Sequence, residues 1–224
     1  MTGLLNKDAP PCCHSPELPL NFDVLRTRKA AKGNSLPRRS TRNALLKAAM
    51  REFLARGFSA CSVEDITKAA RVPKGSFYNH FKSKQSLAAE IVSEYGKGVT
   101  DRSVLTDPAI APLTRLKKHF AALNAYFSGC KDGCLVGKFM AEVSVDTPQI
   151  RESLRRVLNV WGEELSSTLA EGQRQGAIRK DLPADDLAAF LIDSYEGAIL
   201  RTRLEKKPRA LECFVKVVFS SITT

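Results

Sequence analysis

Between Ser62 and Leu87 the chain reads SVEDITKAARVPKGSFYNHFKSKQSL, and this stretch leaves few folds open. Ser62 is placed to cap a helix, and Asp65 sits three residues on, where an acid suits a helix N-terminus. Ile66, Ala69 and Ala70 then recur at helical spacing, and Arg71-Val72 ends the run. Pro73 fits the first turn of a second helix, because proline lacks the N–H that such a position leaves unpaired. The spacing predicts that helix from Pro73 to about Phe81, with Phe77 and Phe81 inward at i and i+4. Its other side carries Lys74, Gly75, Ser76, Tyr78, Asn79 and His80, a face dense in hydrogen-bond donors and without an acid. Ser83 caps a third helix with Lys84 in its first turn. Two short helices at a steep angle, the second with a basic polar face, are how a helix-turn-helix enters the major groove. On composition alone, an ordinary solvated face explains the same residues as well.

The exact string decides between them. Gly57-Phe58, then Ser62-Val63-Glu64-Asp65-Ile66, then Lys74-Gly75-Ser76-Phe77-Tyr78-Asn79-His80-Phe81-Lys82-Ser83-Lys84 resemble the DNA-binding domain of TetR-family transcriptional regulators over about residues 40–95. The resemblance implies an all-α protein: an N-terminal three-helix helix-turn-helix domain and a C-terminal helical domain for ligand binding and dimerisation. It implies a sequence-specific DNA-binding regulator, a repressor released from a palindromic operator by a small-molecule or electrophilic effector. It also implies DNA contacts. Lys74, Gly75 and Ser76 would reach base edges. Tyr78, Asn79, His80 and Lys84 would hold phosphates, and Arg42 would approach the backbone from the first helix. Asn79 occupies a position that varies in the family.

Charge is distributed as that reading requires. Residues 1–98 hold 17 Lys/Arg against 8 Asp/Glu, whereas residues 99–224 hold 18 against 16. A phosphate-binding module joined to a nearly neutral one leaves such a footprint, and a solubilising surface would not predict the asymmetry. No apolar run approaches the ~20 residues that span a bilayer. The N-terminus lacks the basic-then-apolar order of a secretion signal, so a cytoplasmic location without membrane contact is expected. Six cysteines, at 12, 13, 61, 130, 134 and 213, show no zinc spacing, and a reducing compartment argues against structural disulfides. Neither a metal nor a cofactor is expected.

Along the chain, residues 1–39 read as a disordered extension with five prolines. Its basic run Arg26-Thr27-Arg28-Lys29, with Lys32, Arg38 and Arg39, is either a non-specific phosphate contact or a solvated tail. Residues 40–95 form the DNA-binding domain and 96–224 the effector and dimerisation domain. Helices are predicted over about 40–56, 84–96, 108–128, 133–145, 147–175 and 182–206, with a last one opening at Pro208.

The second half carries two further expectations. Gly133-Cys134-Leu135-Val136-Gly137-Lys138, with Trp161 and Tyr195-Glu196-Gly197-Ala198, resembles the NemR/AcuR-like branch of the family, whose members respond to reactive or unsaturated small molecules. Cys134 lies near a helix N-terminus, which favours thiolate. Lys131 and Lys138 could assist, and Cys130 could act as a resolving thiol; an inert, semi-buried cysteine is the competing reading. Phe120, Leu123, Tyr126, Phe127, Phe139 and Trp161 are candidate pocket walls. On the last two helices Leu187, Phe190, Leu191, Tyr195, Ala198, Ile199, Phe214 and Val218 make an apolar face expected to pair two subunits. A homodimer would set half-sites ~34–36 Å apart. Two other readings compete: a non-specific nucleoid-type DNA binder, and an enzyme. The enzyme finds little support among three histidines and no nucleophile elbow or phosphate loop.

Overall fold

The computed structural model describes residues 38–98, 101–130 and 132–224, with side chains from Ser40 onward. Residues 1–37 of the expected extension, with the run Arg26-Thr27-Arg28-Lys29, Cys12 and Cys13, and also Lys131, lie outside those residues, whereas Arg38 and Arg39 open the first helix and not a disordered tail. The described residues form ten helices: α1 (Arg38–Arg56), α2 (Val63–Ala70), α3 (Lys74–Tyr78), α4 (Lys84–Gly98), α5 (Ser103–Thr106), α6 (Pro112–Ser128), α7 (Leu135–Glu142), α8 (Pro148–Arg174), α9 (Ala184–Glu205) and α10 (Arg209–Ile222). Extended structure among them is confined to one antiparallel bridge between Ile178 and Thr223. The all-α expectation therefore holds.

Local chemistry sets the first three helices. Gly57 closes α1 in a left-handed conformation (φ +84°), and its N–H returns to the Phe53 carbonyl at 2.8 Å. At α2 the Ser62 Oγ accepts from the Asp65 N–H at 3.1 Å, while the Asp65 carboxylate accepts from the Ser62 N–H at 2.8 Å. This reciprocal capping box satisfies two otherwise orphaned donors. Arg71 ends α2 at φ +56°, unusual for a residue with a Cβ, and so turns the chain sharply into α3. The second helix is shorter than its spacing predicted, closing at Tyr78 rather than near Phe81. Phe77 and Phe81 still anchor it, both buried, with rings 5.6 Å apart. Leu45, Leu46, Ala49 and Phe53 of α1 complete this small core.

The helix α4 leaves the three-helix head and lies along α8. Gly96 permits that approach: a Cβ there would sit 2.6 Å from the Val157 methyls. The remainder is a bundle in which α8 packs against α4, α6 and α9, and α10 closes over α9. Its centre is aromatic. Phe120 meets Tyr195 and Phe214 at centroid separations of 5.2 and 5.1 Å, and Tyr195 meets Phe214 at 5.0 Å.

Candidate DNA interface and effector site

The outward side of α3 presents Lys74, Gly75, Tyr78 and Asn79 exposed, with Ser76 and His80 half-buried. Tyr78 is 59% exposed, which nothing in the subunit's own packing explains for a large aromatic. A Cβ on Gly75 would meet nothing within 4 Å, so internal sterics do not demand the glycine. An outside surface that must come close to the backbone would. Lys74 Nζ lies 3.8 Å from Glu64 Oε2, an acid supplied by α2 and not by the recognition helix itself.

Two of the expected phosphate ligands are committed elsewhere. Lys84 turns inward: Nζ donates to the Phe58 and Cys61 carbonyls at 2.8 and 2.7 Å and lies 4.0 Å from the Phe58 ring centroid. Burial holds its ammonium below the usual lysine range. The long apolar stem lets the charge reach under the turn after α1, where Lys84 braces the head. Arg42 makes a two-pronged bond to Glu90, both oxygens at 2.6 Å, with its guanidinium 5.1 Å from the Phe81 ring centroid. Its charge is balanced within the head, where it joins α1 to α4. Lys84→Met should therefore lower thermal stability, by about 1–3 kcal/mol for two carbonyls left unbonded, and leave the salt dependence of DNA binding unchanged. Loss of a true phosphate contact would flatten that slope by about one unit.

The turn 57–61 is gripped from the other side by α7. The Glu142 carboxylate accepts from the Ser59 N–H at 2.6 Å and the Phe58 N–H at 3.2 Å. Lys138, expected at the effector site, is buried and donates instead to the Leu54 carbonyl at the C-terminal end of α1. Phe139, also expected there, packs edge-on against Phe53 and Phe58 at 5.4 and 5.9 Å. Gln85 of α4 adds a bond to the Asp146 carbonyl at 2.5 Å. The C-terminal half of α7 is thus a clamp on the head.

The N-terminal end of α7 borders a cavity of about 50 Å³ enclosed by α4, α6, α7, α8 and α9. Four expected residues, Leu123, Phe127, Cys134 and Trp161, line it. Phe120 lies behind the wall in the aromatic core, and Tyr126 is half-buried with its ring edge-on to Phe127 at 4.9 Å. Tyr95, Arg102 and His119 line the cavity without having been anticipated, while Tyr195 was expected at the dimer face and Glu196 only as part of the stretch 195–198. A lone acid in the apolar run 194–200 and a histidine on an otherwise apolar helix face were the available signals.

The cavity is polar at two points. The Trp161 Nε1–H donates to His119 Nε2 at 3.0 Å. Indole can only donate, so Nε2 accepts and the proton of the neutral ring sits on Nδ1. Burial, then the nearby Arg102 charge, push His119 down to about 4, so the ring is neutral. Its Nδ1 and the Glu196 Oε2 are both buried without a hydrogen-bond partner. Burial pushes the Glu196 carboxyl up to about 7. Arg102 is occupied, with Nε 2.6 Å from Glu164 and Nη1 donating to the Gly96 carbonyl at 2.8 Å.

Cys134 caps α7, yet its thiol is raised well above the ordinary value, first by burial and then by the Glu196 charge. The Val136 and Gly137 amides act in the expected direction but are outweighed. Burial thus favours the protonated thiol, which supports the inert reading of this cysteine over the activated one. Alkylation of the native protein by iodoacetamide at neutral pH, followed by mass spectrometry, should modify the exposed Cys213 well before the buried Cys134.

The expected dimer face is also turned inward. Leu187, Leu191, Tyr195, Ala198, Ile199, Phe214 and Val218 are buried within the subunit, and Phe190 alone of the eight is exposed. The outer side of α9 instead shows Phe190, Gly197, Leu200 and Leu204, with Val217 exposed on α10.

A helix-turn-helix head held against a helical bundle defines a DNA-binding regulator. Comparison with known proteins agrees. Residues 45–91 match the model for bacterial regulatory proteins of the tetR family, and residues 112–218 that for the tetracyclin repressor-like C-terminal domain. The chain is 40% identical to the HTH-type transcriptional repressor DhaR of Mycobacterium sp. (strain GP1), over 84% of this chain and 94% of the relative. It is 33% identical to the transcriptional regulator AcuR of Cereibacter sphaeroides, over 77% and 80%. The crystal structure of reduced Escherichia coli NemR superposes with a TM-score of 0.73 at 26% identity, covering 82% of this chain and 97% of the other. The chain belongs to the TetR family, and it is a DNA-binding transcriptional regulator and not an enzyme. Among the described residues no helix is long and apolar enough to cross a membrane.

Proposed function

We propose that this chain is a cytoplasmic homodimeric repressor, with residues 40–95 reading DNA and residues 96–224 sensing a small molecule and pairing subunits. The observation that carries the reading is the double attachment of α7. One end of this eight-residue helix borders the cavity at Cys134 and Val136; the other holds the head through Lys138, Phe139 and Glu142. A ligand that displaces the first end moves the second, and with it the spacing of two reading heads on a palindromic operator. It shifts the equilibrium by its difference in affinity for the two states and by no more.

On this reading Lys74, Gly75 and Ser76 meet base edges, while Tyr78, Asn79 and His80 contact the backbone. Fluorescence anisotropy on a palindrome flanking the protein's own gene tests it. Specific binding should exceed that to scrambled DNA by about a thousandfold or more at fixed salt. Tyr78→Ala should weaken both with little change in their ratio. Equal affinity for both duplexes would establish the non-specific binder instead.

The clamp has its own readout. In Glu142→Ala, amide exchange at Phe58 and Ser59 should accelerate about tenfold or more, while the buried centre of α4 at Val92 stays protected. Unchanged exchange at the turn would remove the proposed linkage.

A further inference from the structure

The two unpartnered polar atoms in the cavity specify a ligand chemistry, an inference that rests on the reading of this cavity as the effector site. His119 is 1% exposed and Glu196 6%, and both border the same space. Leaving a buried donor or acceptor unbonded costs about 1–3 kcal/mol each, so a molecule that satisfies both gains from the outset. His119 offers only a donor, since its acceptor nitrogen is occupied by Trp161. Glu196 offers an oxygen that accepts when ionised and donates when protonated.

Charge narrows the choice. An anionic ligand would lie against Glu196, and the Arg102 guanidinium is already paired with Glu164. A cationic ligand would confront the His119 Nδ1–H, which cannot accept from it. An uncharged ligand avoids both. A hydroxyl both gives and takes a hydrogen bond at one atom, and so it serves Glu196 in either protonation state and His119 as well. The remaining walls, Leu123, Phe127, Val157 and Trp161, suit a short apolar tail. A cavity of about 50 Å³ suits a small molecule.

We propose that the cavity binds a short-chain uncharged hydroxyl compound, its O–H engaging Glu196 and His119 Nδ1 and its alkyl end lying against Trp161. Nothing covalent is involved, and Cys134 serves as wall.

Trp161 is the chain's single tryptophan and lies in the site, so its emission reports occupancy directly. The full-length protein is titrated with 1-propanol, 1,2-propanediol, propionate, propylamine and 1-chloropropane. The expected result is a saturable change with the two hydroxyl compounds, half-saturation about tenfold weaker in Glu196→Gln, and no saturable change with the ions. The variant's circular dichroism and its DNA binding confirm that it is folded. A linear solvent response to every probe, equal saturation by propionate or propylamine, or 1-chloropropane matching 1-propanol would overturn the assignment. Repeating the titration on the protein–operator complex separates the two proposals. Saturable emission without release of DNA leaves the ligand chemistry intact and defeats the repressor-release reading; release without a hydroxyl preference does the reverse.

Discussion

Leu200→Asp/Leu204→Asp will sediment as a monomer and lose about a hundredfold or more of its operator affinity. Both side chains are already exposed in the subunit, at 42% and 82%, so their replacement opens no cavity and leaves the fold intact. They belong to a stripe, Phe190, Gly197, Leu200 and Leu204, in which 190, 197 and 204 recur every seven residues with 200 between them. Such a repeat is the seam along which helices pair, and Gly197 leaves room for a close approach, since a Cβ there would meet nothing within 4 Å. Val217, 55% exposed, extends the patch onto α10. On a two-fold axis the same surface faces itself, so each new carboxylate meets an apolar partner or its own copy. A monomer keeps one reading head and forfeits the effective concentration of the second, worth about 10²–10⁴ in affinity. Analytical ultracentrifugation and anisotropy on one preparation test both halves. A variant that remains dimeric would show that subunits pair elsewhere.

The second large effect is in the pH dependence of stability. Burial pushes the Glu196 carboxyl up to about 7 from an ordinary 4.5. The folded chain therefore keeps a proton that the unfolded chain releases. That contribution is complete below about pH 4.5 and is lost as pH rises through 7. His119 runs the other way, pushed down to about 4 from 6.5. The unfolded chain binds a proton that the folded chain refuses, so its contribution is complete above about pH 6.5 and is lost as pH falls through 4. Each amounts to about 3 kcal/mol across its window, and over the shared range the slopes oppose. Relative to the natural chain, Glu196→Gln should gain about 3 kcal/mol between pH 4.5 and about pH 8. His119→Asn should gain a similar amount between about pH 7 and pH 4. Urea unfolding at fixed protein concentration measures both. Parallel pH profiles for all three proteins would mean that neither group is as buried as the structure places it.

The head was legible in the sequence because its determinants are local. Ser62 and Asp65 cap each other across three residues, Pro73 opens α3 and Gly57 closes α1, and each of these works at turn range. The sensing half was less legible because its decisive facts depend on which side of a helix faces in. Between Leu187 and Leu204, α9 carries apolar residues on more than one side, so Leu187, Leu191 and Tyr195 looked as eligible to pair subunits as Phe190, Leu200 and Leu204. The sequence left Cys134 open between an activated and an inert thiol, because helix-terminal amides can be counted from sequence, whereas the burial that opposes them cannot. Lys84 was expected at a phosphate from the resemblance and Lys138 beside the Cys134 thiol, but both direct their charge at backbone carbonyls. A long apolar stem makes lysine as able to tie two helices together as to meet a phosphate.

Gly57 sits so close to the Glu142 carboxylate that even a methyl group there would displace it, and its φ of +84° disfavours any other residue. Interchange of parts between regulators of this kind is consequently restricted. A chimera that grafts a foreign head onto this bundle, as in the building of a biosensor, must import both a glycine at that corner and the helix that recognises it. A junction cut simply through α4 would yield a hybrid that reads its operator but is deaf to its inducer.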